Sequence, residues 1–325
     1  MSFETRLNRA WYGRPGLLYL LLPLEWLFRL IALLRRLLLQ PEHSAAAVLV
    51  VGNISVGGSG KTPVVLALAE HCKGLGYQVG IVSRGYGGQA PQYPYFVDAN
   101  SAPEHGGDEP CLMARRSGLP VAVDANRHAA VKFLQDQHGC NLIISDDGLQ
   151  HYRMARDIEI LVVDGQRGFG NGHCLPVGPL REPLSRAAEI DLRIINGSDE
   201  CGLGGYLMQL SGKVLVNLNT GEQRQLSDWP KAQQRCHAIA GIGNPQRFFS
   251  ALVAADFDVI EHAFPDHHPY RSADLDFDDN LPVLMTEKDA VKCAEFATAN
   301  CWMLPVDGEI DASFYSELQR RLAAL

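Results

Sequence analysis

The chain has 325 residues, 46% of them hydrophobic, which is enough for one large core or two smaller ones; the length favours about two domains. A formal charge of −8 excludes a surface built to wrap nucleic acid, because a phosphate backbone demands clustered Lys and Arg. Eight cysteines, with no CxxC pair and no Cys/His cluster at ligand spacing, argue against structural zinc and fit a reduced, cytoplasmic setting.

The charge is uneven: residues 1–40 hold six arginines against Glu4 and Glu25, a net of +4, so the remainder carries −12. Residues 16–40 read GLLYLLLPLEWLFRLIALLRRLLLQ, interrupted by Pro23, Glu25, Arg29, Arg35 and Arg36. The run before Glu25 is shorter than the ~20 apolar residues that cross a hydrocarbon core. No small-residue cleavage site follows it, so it is not a secretory signal. The pattern predicts an amphipathic helix lying in a membrane interface, with Trp11, Tyr12, Tyr19 and Trp26 at headgroup depth and the arginines reaching lipid phosphates. A helix packed into the first domain's core is the alternative.

Downstream, strand-length apolar runs at 47–51, 78–82, 121–123, 142–145, 158–163 and 192–195 alternate with helix-length patterns. Continuous apolar strands signal a mostly parallel sheet covered on both faces, a doubly wound α/β arrangement. Residues 206–226 change texture to short antiparallel strands around two turns. A second, smaller α/β unit follows, with strands near 238–240, 259–262, 283–286 and 303–306 and a closing helix from Ala312. The expected division is a helical segment at 1–40, a core domain at 41–205, a two-stranded linker at 206–227 and a smaller domain at 228–325.

Residues 55–62 read SVGGSGKT between the strand VLVVG and a helix pattern that carries Pro63 in its first turn. This is a P-loop, in which backbone N–H groups wrap a nucleotide phosphate, a Lys reaches the terminal phosphates and a Ser/Thr hydroxyl binds Mg²⁺. Ser55 replaces the usual first Gly; Val56, Gly57, Gly58, Ser59 and Gly60 form the cradle, with Lys61 the cation and Thr62 the metal ligand. The strand LIISDDGLQ ends in Asp146 and Asp147, the form of a Walker B element that holds Mg²⁺ and positions the attacking oxygen. In EHGGDEP, Asp108 is a candidate general base; in FPDHHPY, His267 or His268 is a candidate to assist it. Arg181 of LPVGPLREP is placed to neutralise phosphoryl charge, while His151 after the carboxylates is as readily structural as functional. TEKD at 286–289 lacks the Asn of a guanine-reading NKxD.

The ordered set GNISVGGSGKTP, SRGYGG, GGDEP, SDDGLQH, LPVGPLREP, AGIGNPQRFF, FPDHHPY and TEKDAVK closely resembles the tetraacyldisaccharide 4′-kinase family of lipid A biosynthesis. The resemblance implies a P-loop NTPase-like domain joined by a two-stranded linker to a smaller α/β domain. It implies ATP and Mg²⁺ as cofactors. It further implies transfer of the γ-phosphoryl group to the 4′-hydroxyl of an acylated glucosamine disaccharide 1-phosphate, giving lipid IVA at the cytoplasmic face of the Gram-negative inner membrane. On matching positions it makes Asp108 the base acting with His267, gives ATP and Mg²⁺ to Lys61 and Thr62 and the metal to Asp146 and Asp147, and sets Arg181, with Arg127 as a weaker candidate, on the transferring charge. The competing function class is a membrane-associated P-loop ATPase switch that passes phosphate only to water.

Overall fold

Strands that are apolar on both faces need a covering layer on each side. The structure, a computed structural model describing residues 3–325, meets that need with a nine-stranded sheet. Its strands are β1 (Ala47–Gly52), β2 (Val79–Ser83), β3 (Tyr95–Val97), β4 (Val121–Val123), β5 (Leu142–Asp146), β6 (Ile158–Asp164), β7 (Leu192–Asn196), β8 (Tyr206–Ser211) and a late return, β15 (Asp307–Ile310). They lie in the order β15-β8-β7-β6-β1-β5-β2-β4-β3. The run from β8 to β4 is parallel, and antiparallel β15 and β3 close the edges.

Alternation along β1 shows how the sheet is buried. Leu49 and Val51 enter a core shared with α3 (Lys61–Gly74) and α5 (Asp108–Ser117), which the short α4 (Pro103–Gly106) precedes; Val48 and Val50 enter a second core with α6 (Arg127–His138). Both cores are fully enclosed, so the ends of the strands, not their faces, are left for chemistry.

A six-stranded sheet forms the second unit, in the order β10-β9-β14-β13-β11-β12. Its strands are β9 (Val214–Asn217), β10 (Gln223–Gln225), β11 (Arg235–Ala240), β12 (Asp258–Ala263), β13 (Val283–Thr286) and β14 (Cys301–Leu304), with helices α7 (Pro245–Ala254) and α8 (Glu287–Cys293). Phe249, Leu252, Trp229 and Trp302 build its own core.

The boundaries differ from the division at 206–227 and 228–325. Instead of pairing within a linker hairpin, β8 joins the large sheet beside β7, and the chain returns there as β15 and α9 (Ala312–Leu322). Phe314, Leu318 and Leu322 of α9 are buried in the large-sheet core. The sheets are linked by two passages, one after β8 and one before β15. The strand DGEI has no apolar run, so nothing local announces it; β8 supplies the ladder that makes it a strand.

At the N-terminus α1 (Phe3–Trp11) leads through a 3₁₀ segment, Gly16–Leu21, into α2 (Leu22–Leu38). Residues Gly16–Leu38 are long and apolar enough to cross a membrane by length and composition. One side of α2 is nevertheless fastened to the large unit. Glu25 is 3% exposed, 2.9 Å from His173 Nδ1, and accepts the Cys174 amide at 3.1 Å. Arg36 pairs with Glu189 at 2.5 Å in an exposed contact on the large unit. Trp11 and Tyr12 depart from the expected headgroup position: the Trp11 indole donates to the Pro176 carbonyl and the Tyr12 hydroxyl to the Val56 carbonyl. Both are half-buried. Tyr19 and Trp26 remain exposed, as do Leu24, Leu27, Leu30, Leu34, Leu37 and Leu38.

Candidate active site

Parallel pairing of β1 with β5 puts Val51 opposite Asp146, so the loop after β1 and the carboxylates after β5 emerge side by side at the carboxyl edge of the sheet. The P-loop then turns into α3 at Gly60, whose φ of 87° is in the left-handed region, and a Cβ there would collide with Asn196 Nδ2. That Asn196 amide donates to the Ser59 carbonyl at 3.0 Å and holds the loop from β7. The 175–183 segment runs alongside: Ser55 bridges Leu180, and Val56 N–H donates to the Pro179 carbonyl at 2.8 Å. This backbone pairing delivers Arg181 to the site.

Arg181 donates to both oxygens of Asp147, at 3.0 and 2.9 Å, and to the Asn53 carbonyl at 2.8 Å; Lys61 Nζ lies 3.5 Å from Asp147 Oδ1. Burial pushes the Asp147 carboxyl upward, but Lys61 and Arg181 outweigh it and hold the group well below the usual range. Asp146 is driven the other way, by burial first and then by the Glu109 and Asp147 charges, against Lys61. It is 2% exposed; Oδ2 accepts from Ser83 at 3.0 Å, whereas Oδ1 is buried without a partner.

These features test whether Mg²⁺ and ATP fit. A buried carboxylate oxygen with no donor, next to a second carboxylate already neutralised by two cations, suits a hard divalent ion that takes one or two protein carboxylates and completes its shell with water and phosphate. Among the described residues no cluster of three or more His, Cys, Asp or Glu could hold a metal alone, as expected when phosphates supply ligands. The P-loop offers its amides beside Lys61 and the N-terminus of α3, which fits a nucleotide polyphosphate. The residues present therefore fit both groups.

A cleft of about 1420 Å³ connects these elements. One wall is the P-loop from Ser55 to Thr62 with Asp146, Asp147 and Arg181. The lining also includes Arg127, His151 and Tyr152, and Phe28, Ile31, Ala32 and Arg35 of α2. Arg127 is 2% exposed, and burial pulls its guanidinium down to about 10 against the nearby Asp146 and Asp147. His151 is lowered to about 4, by burial first and then by Arg127, so it stands neutral at physiological pH.

The second unit closes the cleft. Gly243, after β11, approaches the P-loop so closely that a Cβ would lie 3.1 Å from the Gly58 amide nitrogen. Arg247 of α7 reaches Asp164 at 3.4 Å. The 264–270 loop places His267 Nδ1 3.3 Å from Asp108 Oδ2, at the first turn of α5. His268 is turned away, 3.3 Å from Asp274. His267 lines the cleft, while Asp108, with 15% of its side chain exposed, sits just behind it. Glu109, Lys288 and Arg247 also line the cleft; the motifs GGDEP, TEKD and AGIGNPQRFF contain them, but the sequence assigned them no role, and Asn196, at the end of β7, carries no motif.

The family model described as tetraacyldisaccharide-1-P 4′-kinase matches residues 17–323. The chain belongs to the tetraacyldisaccharide 4′-kinase family. Two curated relatives named tetraacyldisaccharide 4′-kinase, from Pseudomonas aeruginosa (strain LESB58) and Azotobacter vinelandii, are each 48% identical, over 100% of this chain and 99% of their own length. Among solved structures, LpxK from Aquifex aeolicus in complex with ATP superposes with a TM-score of 0.76 at 26% identity, covering 94% of this chain and 99% of that one. Membership makes the chain an ATP-dependent kinase of lipid A biosynthesis with the expected mixed α/β fold, and the ATPase-switch reading is not favoured.

Proposed function

We propose that the chain transfers the γ-phosphoryl group of ATP to the 4′-hydroxyl of a tetraacylated glucosamine disaccharide 1-phosphate at the cytoplasmic face of the inner membrane. The observation that carries this reading is that one cleft is lined both by a P-loop with paired carboxylates and cations and by Phe28, Ile31 and Ala32 of the apolar helix α2. A water-directed switch has no use for the apolar lining.

Lys61, the α3 N-terminus and the P-loop amides bind the polyphosphate. Mg²⁺, held by the Thr62 hydroxyl and Asp146, supplies charge neutralisation on the phosphates when bound. Asp147 fixes Lys61 and Arg181 at the place where phosphoryl charge develops, so little reorganisation is needed during transfer. Asp108, oriented by His267, takes the acceptor hydroxyl proton as its oxygen bonds to the γ-phosphorus and the bond to the β-phosphate oxygen breaks, with ADP the leaving group. Arg127, which donates to the Asp146 carbonyl at 3.4 Å, adds positive charge at the reacting carboxylates, and Arg35 of α2 supplies charge on the same cleft for an acceptor that bears a phosphate. The exposed leucines of α2 enter the lipid interface while Glu25 keeps the helix on the protein.

Incubating the full chain with γ-labelled ATP, Mg²⁺ and vesicles carrying the acylated disaccharide 1-phosphate tests the reading. Label in the lipid supports it; label confined to free phosphate overturns it. Flotation of the full chain with anionic vesicles tests the membrane part, which fails if the protein stays at the bottom of the gradient.

A further inference from the structure

The ammonium of Lys288 is the centre of a cluster that the roles above do not use. Lys288 lies in the first turn of α8, a helix capped by the Thr286 hydroxyl, which accepts from the Asp289 amide at 3.2 Å. Its Nζ is 3.1 Å from Glu109 Oε1, 3.3 Å from Asp266 Oδ1 and 3.3 Å from His267 Nε2. An ammonium has three N–H donors and no acceptor, so the three neighbours match its capacity. Burial favours loss of its proton, but the Glu109 and Asp266 carboxylates outweigh that and keep it charged.

A donor-only group bonds Nε2 of an imidazole only where that nitrogen carries a lone pair. The ring proton of a neutral His267 is then on Nδ1, where it points at Asp108 Oδ2, 3.3 Å away. A doubly protonated ring would set Nε2–H against the ammonium, which is electrostatically unfavourable. The backbone agrees with a held ring: His267 has a φ of 59°, and its amide donates to Asp266 Oδ1, an oxygen that Lys288 also bonds.

We propose that Lys288 is a positioning residue for the phosphoryl transfer, holding His267 as the neutral Nδ1–H tautomer so that the ring donates to Asp108 and leaves the carboxylate, not the imidazole, as the proton acceptor. Lys288 and His267 both belong to the small unit, so the tautomer is set within that unit, and the bond from Lys288 to Glu109 brings the held ring against α5 of the large unit. The charged and titratable groups around the ring are Asp108 and Glu109 from α5, Lys288 and Lys292 from α8, and Asp266 beside it, with the Tyr86 ring 4.9 Å away.

The tautomer is read directly by nitrogen-15 NMR of the full-length chain labelled in histidine, with His267 assigned by its loss in His267→Gln. An Nδ1–H signature above neutral pH is expected; an Nε2–H signature overturns the proposal. In turnover, Lys288→Met removes the donor-only cation at His267 Nε2 and frees the ring to take the other tautomer. The kcat then falls by about tenfold or more while KM for ATP stays within about twofold of wild type, and Lys288→Arg, still a donor-only cation, restores most of the rate. A Lys288→Met variant that keeps its kcat and changes only KM for ATP overturns the positioning role and leaves Lys288 a contact between the units. Only the turnover arm rests on the proposed kinase reaction; the tautomer is read without turnover, so the two fail separately.

Discussion

The two reacting poles of the cleft are built in opposite ways. At the phosphate pole, Lys61, Asp146, Asp147 and Arg181 all come from one sheet and its connections; Lys61 and Arg181 are held on Asp147, and Asp146 is held by Ser83. At the proton pole, Asp108 and Glu109 come from the large unit while His267 and Lys288 come from the small one, and they meet where the units join, a junction into which Val291 of α8 also packs. The first pole is built within one unit; the second needs both. Nucleotide binding and acceptor activation should therefore be separable by mutation, which is what a kinase needs if it is not to spend ATP on water.

The contrast can be broken most severely at the phosphate pole. Lys61→Ala removes the cation at the terminal phosphates and leaves Asp147 with Arg181 alone. Turnover is expected to fall by about a thousandfold or more, with weaker ATP binding alongside, measured by steady-state kinetics and calorimetry. Preserved ATP affinity would contradict a pole in which binding and chemistry share one set of groups.

A smaller effect is expected between the units. Arg116, on α5, bridges Glu287 at 2.7 Å and Asp307; burial raises the Glu287 carboxyl, and the Arg116 guanidinium opposes that shift. Arg116→Met should raise KM for ATP or acceptor by roughly three- to tenfold, on the scale of losing one partly buried ion pair, and leave the isolated large-sheet core intact by circular dichroism. An unchanged KM would show that closure does not rely on this contact.

The smallest shift concerns stability. Asp146 is a carboxyl whose folded-state affinity for a proton is raised by burial, so the folded chain holds that proton to higher pH than the unfolded chain does. Between the ordinary carboxylate range and neutrality the folded state binds more protons, and stability falls as pH rises. Asp147 is depressed, so its stabilising contribution is lost only at lower pH, outside that window. Without Mg²⁺ or ATP, Asp146→Asn should thus be more stable at pH 8 than the wild type, by roughly a few degrees in Tm, with a flatter dependence between pH 5 and 8. Scanning calorimetry at several pH values checks it; a Tm at pH 8 below that of the wild type would mean the charge is compensated.

The phosphate pole was legible because its residues are contiguous in sequence or end an apolar strand: SVGGSGKT and LIISDDGLQ each announce a strand end with chemistry on it. The proton pole was legible only in part. Asp108 and His267 were named from loops that present them, but Lys288, separated from Glu109 by 179 residues, has no local pattern that ties it to either. The same holds for fold boundaries. The strands β1, β2, β4, β5, β6 and β7 of the large sheet show as apolar runs, whereas β3 does not, β8 reads as part of a linker, and β15 is made of DGEI and pairs only with β8. Trp11 and Tyr12 suggested a membrane interface by type, and their partners at Pro176 and Val56 are tertiary contacts that no period along the chain encodes. Glu25, which looked like an interruption of an apolar helix, is the residue that fastens it.

The separation of the two poles is tested most directly by Asp108→Ala in the full-length chain, with ATP affinity and single-turnover transfer to the acylated disaccharide measured on the same preparation. ATP affinity within about twofold of wild type and transfer lower by about a hundred- to ten-thousandfold is the expected result. ATP affinity and transfer falling together would contradict it, because the proton pole would then be part of the nucleotide site.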